Sequence, residues 1–371
     1  MKKKICILSN GLVRGGTDTF VVNLVKGLNK EYYDITVVLS ISDAKLAIRE
    51  PEILSIGSKT IWTNSIEKGL INKLKHLLKL FVILKKGKFD IFQTNIDLFN
   101  GPNLFVAWLA RVPIRICHSH NSRQEREVQN KSFVIIIYQK IMKFLCWNFA
   151  NRYCGCSELA LNFLFDDKWK NNKNAQVINN GIDIDMFKNK TDISLKKKEL
   201  NFLDGRKYIL TVGRLSSQKN PLMIVDIFFQ LCNLRDDCDL VWVGDGEMMH
   251  EIISKIKLLK IEKRVHFLGL REDVNEIMQC CDIFLFPSIF EGLGIVVIEA
   301  QAAGLPCLIS NTIPTRVDCG GCIFEPLTDS VKDWASMVNK ILNNDVKINI
   351  DMKKVNEFSI STMVNQMENL F

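Results

Sequence analysis

Short apolar runs alternate with longer stretches of helical periodicity along this chain, and the alternation happens twice. In the first half the runs are Lys4–Ser9, Ile35–Leu39, Ile91–Thr94, Ile114–Cys117 and Tyr153–Gly155, with helical patterns between most of them. In the second half they are Tyr208–Val212, Leu240–Val243, Val265–Leu268, Ile283–Phe286 and Pro306–Ile309. Helices are expected there at 221–231, 247–258, 274–281, 295–303 and 331–342. A strand that is apolar on both faces must be covered on both faces. Strand–helix alternation supplies that cover through parallel crossovers. The expected fold class is therefore α/β, with two Rossmann-like doubly wound domains facing a central cleft. Ligands of such sheets bind at the carboxyl ends of the strands.

The pattern resets after VINNGIDIDMF (Val177–Phe187) and a lysine-rich stretch at 188–198. A length of 371 residues suits two domains. The expected boundaries are 1–185 for an N-terminal domain and 186–350 for a C-terminal domain. A segment at 351–371 is expected to form a helix packing back toward the first domain. The basic start MKKK runs into ICIL and stops at Ser9–Asn10, too short for a secretory apolar core.

Charge is uneven. Residues 1–185 hold 27 Lys+Arg against 16 Asp+Glu, whereas the remainder hold 22 against 25. An anionic partner for the first half is expected from this excess. Two stretches there could meet a membrane surface: Leu70–Lys88, apolar with six interspersed lysines, and Phe133–Ala150, broken by Lys140 and Lys143. Neither is a clean spanning segment. Twelve cysteines without a secretory signal point to a reducing compartment. The pairs Cys154/Cys156 and Cys319/Cys322 lack the further ligands a zinc site needs, so they read as inert thiols.

Four segments could carry chemistry. In TVGRLSSQKNP a strand ends, Gly213 turns the chain, and Arg214 and Lys219 precede a helix. A guanidinium fork and an ammonium at such a junction suit a diphosphate. In FEGLGIVVIEAQAAGLP, Glu291 precedes a helix and Glu299 lies within it. Eight helical residues would rise about 12 Å, too far for a shared proton and suited to the two ends of a nucleotide-sized ligand. Backbone amides at Gly292, Leu293, Gly294 and Ile295 would favour an anion. SNGLVRGGTDTF lacks the G-x-G-x-x-G spacing, but Gly16 could let backbone approach a ligand. RICHSHNS places His118 and His120 on one side of a strand end. The D-x-D pairs Asp183/Asp185 and Asp237/Asp239 could hold a divalent metal. With Arg214 and Lys219 available to neutralise phosphate, no metal and no cofactor is expected.

These segments resemble the family 4 retaining glycosyltransferases of the GT-B fold, above all bacterial enzymes of exopolysaccharide and capsule synthesis. The markers are the Gly15–Gly16 loop, HSHN (His118–Asn121), Cys156–Ser157, INNGID (Ile178–Asp183), GRL…QKNP (Gly213–Pro221), VGDG (Val243–Gly246) and the E-x7-E element of Glu291 and Glu299. They cover nearly the whole chain. The resemblance implies retaining, metal-independent transfer of a hexose or N-acetylhexosamine from a nucleotide-sugar, a UDP-sugar, to a lipid-linked glycan. The N-terminal domain would be the acceptor side and the C-terminal domain would bind the donor. Arg214 and Lys219 would stabilise the leaving diphosphate, Glu291 would touch donor-sugar hydroxyls, and Glu299 the ribose. Gly213 and Gly244 would border the nucleotide, the amides near Gly294 would help hold the phosphates, and Gly16 would approach them. His120 is preferred to His118 as the imidazole by the sugar, with Asn121 secondary. The family often has Glu where this chain has the shorter Asp18. The implied location is the cytoplasm, peripheral to the inner membrane face, with no nucleic-acid partner. A nucleotide-sugar 2-epimerase on the same plan and a non-catalytic sugar-nucleotide-binding subunit are the competing readings.

Overall fold

The computed structural model describes residues 2–13, 15–121, 133–188 and 192–371. It divides into two compact units, Met1–Ile182 with Phe358–Phe371, and Asp183–Glu357. The first holds β1 (Lys3–Ser9), β2 (Tyr33–Leu39), β3 (Lys59–Trp62), β4 (Ile91–Thr94), β5 (Ile114–Ser119), β6 (Arg152–Gly155) and β7 (Ala175–Val177). The second holds β8 (Lys207–Val212), β9 (Cys238–Val243), β10 (Val265–Gly269), β11 (Ile283–Phe286), β12 (Cys307–Ser310) and β13 (Cys322–Glu325).

Both sheets are parallel throughout, ordered β3-β2-β1-β4-β5-β6-β7 and β10-β9-β8-β11-β12-β13. The order reverses beside β1 in one and beside β8 in the other, which is the doubly wound arrangement. The central strands are buried on both faces, and this is why they read as unbroken apolar runs. In the first unit Ile5, Ile7, Ile91 and Ile116 pack toward helix Gly16–Gly27, while Cys6, Leu8, Phe92 and Cys117 pack the other way. In the second, Ile209, Leu240, Ile283 and Leu308 pack with Trp334 and Phe228 from the covering helices.

Three edge strands have no such signature. β3 is mostly exposed, β7 has three half-buried residues, and β13 starts inside the C-G-G-C segment expected to be a loop. Gly320 explains the turn into β13: its φ is +93°, and a Cβ there would sit 2.2 Å from the Asn349 carbonyl oxygen. All twelve cysteines are free thiols. Burial pushes the Cys319 thiol up to about 12, so it is not a ready nucleophile.

The last helix, Ile360–Glu368, belongs to the first unit, whereas helix Met352–Asn356 belongs to the second. Two glycines let the last helix in. A Cβ on Gly27 would meet Val364 at 2.5 Å, and one on Gly181 would meet the Ile360 backbone at 2.8 Å. Gln366 then accepts from the Asn179 amide at 2.8 Å through its side chain, and Ile182 N–H donates to the Phe358 carbonyl at 2.8 Å.

Candidate functional site

The conspicuous groups of the second unit sit on three strand-to-helix turns. After β8, Gly213 leads to Arg214 and a single helical turn at Ser217–Lys219. Asn220 then adopts the left-handed conformation, and Pro221 starts the next helix. Pro at the first helical position sacrifices no hydrogen bond. The turn after β9 lies directly against this one. Gly213 N–H donates to Val243 at 3.0 Å, Leu215 N–H to Asp245 at 3.0 Å, and Gly244 N–H to Gly269 at 2.8 Å. A Cβ on Gly244 would stand 2.0 Å from the Gly213 carbonyl oxygen, and one on Gly246 would stand 2.5 Å from that of Leu215. The glycines of VGDG are therefore explained by backbone touching backbone, whatever else Gly244 contacts.

The turn after β11 carries Glu291, which is buried. Its Oε1 accepts from Lys219 Nζ at 2.5 Å and from Ser288 Oγ at 2.6 Å. Lys219 Nζ also stands 4.8 Å from the centre of the Phe286 ring. The two turns are laced by further bonds. Gln218 donates to the Phe290 carbonyl at 2.9 Å, and Ile289 N–H donates to the Gln218 carbonyl at 2.8 Å. Thus the two residues expected to serve different parts of a ligand form one ion pair. Arg214 is apart and exposed, with Glu247 at 3.4 Å.

Glu291 and Glu299 are not joined by continuous helix. The helix is only Ile295–Ala302, and Gly294, at φ +91°, turns the chain just before it. The 12 Å helical rise expected between the two acids is corrected accordingly. Only Ile295 to Glu299 is helical rise, about 6 Å, and the remainder is a glycine-containing turn. Leu293 is buried, which anchors that turn, while Ile295 and Glu299 are half-buried. Of the D-x-D pairs, one is fully engaged in ion pairs: Asp237 takes a fork from Arg235 at 2.6 and 2.7 Å, and Asp239 takes one from Arg206 at 2.8 and 2.6 Å. Asp183 and Asp185 are exposed where the second unit begins.

In the first unit the notable groups cluster at the carboxyl ends of β1, β4 and β5. Register puts Ser9, Asn95 and His118 in one row, one step beyond the paired residues Leu8, Thr94 and Cys117. The His118 and His120 rings lie 4.0 Å apart, and Phe20 of helix Gly16–Gly27 sets its edge against both. His120 Nε2 meets Asn95 Oδ1 at 3.0 Å. Desolvation holds His120 down at about 3 and His118 well below the ordinary histidine range, His118 further by the neighbouring His120. Both are neutral imidazoles near pH 7. Such rings can exchange hydrogen bonds with polar groups but carry no charge.

Asp97 was not singled out by sequence reasoning. It follows β4 at φ +41°, a strained conformation for a non-glycine residue. It accepts from His120 N–H at 3.1 Å and from the Asn121 side-chain amide. It therefore pins the turn that carries His120. The signal available was only an acid just past a strand end. Asp18 turns inward, accepting from Val13 N–H at 3.1 Å, and desolvation raises its carboxyl above the usual range. It holds the glycine loop together. Gly16 is exposed as the first residue of its helix.

Two family models match the chain: Glycosyltransferase Family 4 over residues 14–186 and Glycosyl transferases group 1 over residues 192–355. The chain is 29% identical to the UDP-Gal:alpha-D-GlcNAc-diphosphoundecaprenol alpha-1,3-galactosyltransferase of Escherichia coli, over 93% of this chain and 90% of that one. It is 27% identical to the N-acetylgalactosamine-N,N'-diacetylbacillosaminyl-diphospho-undecaprenol 4-alpha-N-acetylgalactosaminyltransferase of Campylobacter jejuni, over 81% of this chain and 78% of the relative. Among solved structures, Anabaena HepE in complex with UDP-glucose superposes with a TM-score of 0.82 at 20% identity, covering 99% of this chain and 98% of that one.

Proposed function

From the premise that the chain belongs to the family 4 glycosyltransferases of the GT-B fold, we propose that it is a retaining, metal-independent hexosyltransferase. It moves a hexose or N-acetylhexosamine from a UDP-sugar to a lipid-diphosphate-linked glycan in the synthesis of a surface polysaccharide such as capsule. Relatives named for diphosphoundecaprenol-linked acceptors along most of this chain's length support that acceptor class. The observation that carries the reading is the Lys219–Glu291 pair, with the Gly213 turn beside Lys219 and the Gly294 turn beside Glu291.

In this reading the bond between the anomeric carbon and the β-phosphate oxygen breaks. The leaving diphosphate gains negative charge, which Lys219 and Arg214 stabilise. Glu291 and the Phe286 ring hold the Lys219 ammonium in place before the donor arrives, so little reorganisation is needed at the moment of reaction. Amides of Gly292, Leu293, Gly294 and Ile295 add dipoles toward the phosphates. Glu291 also meets sugar hydroxyls, Glu299 the ribose, and His120, a neutral imidazole whose Nε2–H is taken by Asn95 Oδ1, accepts from a sugar hydroxyl at Nδ1. The acceptor oxygen attacks the face that the diphosphate leaves, and its proton passes to the departing phosphate oxygen. The two cations supply charge that a divalent metal supplies elsewhere, and the bidentate arginine pairs on Asp237 and Asp239 support metal independence.

The test is nucleotide release across a panel of sugar nucleotides, with and without a lipid-linked acceptor extract. Release that depends on acceptor is expected. Conversion of the donor to an isomer without acceptor would replace this reading with an epimerase.

A further inference from the structure

Two helices covering one face of the first unit's sheet, Leu70–Gly87 and Asn100–Leu109, turn apolar stripes inward: Leu80 and Leu84 on one, Leu104 and Ala107 on the other. Each stripe continues into polar residues that are just as buried. His76 precedes Leu80 by one helical turn, and Asn100 and Asn103 precede Leu104 and Ala107. Thr94 at the end of β4 and Thr63 just after β3 are buried as well. Burying such groups is costly unless each is paired, and here they pair with one another.

The pairing has a direction. Asn100 Oδ1 accepts from Ile96 N–H and from Thr94 Oγ1, both at 2.7 Å, and its Nδ2 donates to the His118 carbonyl at 2.9 Å. The backbone donor and acceptor fix which way this amide faces. Thr94 has given its one proton to Asn100, so its oxygen accepts from Asn103 Nδ2 at 3.3 Å. Asn103 Oδ1 then accepts from His76 Nε2 at 3.1 Å. Burial lowers His76 to about 4, so the ring is neutral, and with its proton on Nε2 it takes the Thr63 hydroxyl at Nδ1, 2.7 Å away. The Leu39 carbonyl beside Thr63 is served by Thr63 N–H at 2.8 Å. Five bonds thus run donor to acceptor from Thr63 to the His118 carbonyl, an arrangement in which each bond polarises the next.

This chain ends at the strand end that carries His118 and His120. Asn100 joins the turn after β4 to the end of β5 from within, and Asp97, in that same turn, joins them again through His120 N–H. We propose that Asn100 is a positioning residue for the transfer: held in one orientation by Thr94, Asn103 and His76, it fixes the β5 end and with it the place of the His120 ring. The proposal rests on the reading that His120 meets the donor sugar. Small displacements of such a group cost turnover even when the cause lies away from the chemistry.

Thr94→Val keeps the side chain's shape and deletes the hydroxyl that joins Asn103 to Asn100; Thr94→Ser restores it. In the protein without substrate, the NMR ring signals of His118 and His120 should move in Thr94→Val and return in Thr94→Ser. In turnover, Thr94→Val should lower kcat about tenfold at unchanged UDP affinity, with Thr94→Ser within about twofold of wild type. Should Thr94→Val fail to fold, Asn103→Leu cuts the chain one step further from His118 and should move the same signals and kcat in the same direction. Ring signals that stay in place while only the melting temperature falls would overturn the proposal, since the chain would then merely hold the helices to the sheet. Displaced ring signals with unchanged kcat would uphold the positioning of the strand end and refute the role of His120 at the sugar.

Discussion

The Lys219–Glu291 pair yields a quantitative prediction. Their 2.5 Å contact joins a carboxylate side chain 9% exposed to a lysine side chain 21% exposed. Removing one member of a fully buried pair costs about 3–5 kcal/mol. Here the loss should be smaller, because water reaches the lysine and each partner retains a second contact: Ser288 Oγ on Glu291 at 2.6 Å, and the Phe286 ring by Lys219. Lys219→Ala should therefore destabilise the second unit by about 2 kcal/mol, and Glu291→Gln by about 1 kcal/mol, since the amide oxygen still accepts. The double variant should fall short of the sum by about 1 kcal/mol or more, as expected of residues in contact. Denaturant unfolding of the four proteins measures the cycle. Nucleotide titration and turnover on Lys219→Ala and on a further variant, Glu291→Ala, separate the roles. Lys219→Ala should weaken UDP binding and turnover together, whereas Glu291→Ala should abolish transfer and leave UDP binding measurable. Strict additivity in stability, together with normal UDP affinity in Lys219→Ala, would refute a pair that presents the lysine to phosphate.

Three further outcomes are expected. Gly244→Ala, whose Cβ would sit 2.0 Å from the Gly213 oxygen, should cost about 3 kcal/mol or more, read as a large drop in melting temperature. Asp97→Asn should lower kcat about tenfold with UDP affinity intact, because it disturbs the turn carrying His120; a changed affinity with normal kcat would contradict that. His120 is held at about 3 against an ordinary 6.5, so folding excludes its proton. Its contribution to stability is complete above pH 6.5 and is lost as pH falls from 6.5 toward 3. Replacing His118 and His120 with glutamine should flatten the melting-temperature slope over that range; an unaltered slope would count against two buried neutral imidazoles.

The fold was legible wherever burial left a mark on composition. β1, β4, β8 and β11 are covered on both faces and had to be apolar runs. β3, β7 and β13 lie toward sheet edges where no such demand exists, so KTIW, AQV and CIFE carried no signal. Site residues were legible as types at strand ends, but their partnerships were not. Lys219 and Glu291 are 72 positions apart, and only the adjacency of β8 and β11 brings their turns together. Asp97 was missed because its significance lies in a backbone conformation and in what it grips. Which side of the helices Leu70–Gly87 and Phe133–Phe149 is buried was likewise invisible, since periodicity shows that a stripe exists but not which stripe the sheet takes.

The proposed reaction is retaining transfer to a lipid-linked acceptor without a metal. Its most direct test is the anomeric configuration of the product, read by NMR after reaction of a UDP-α-sugar with a lipid-diphosphate-linked glycan in the presence of EDTA. An α-linkage formed at an undiminished rate is expected. A β-linkage, or turnover that EDTA abolishes and magnesium or manganese restores, would contradict it.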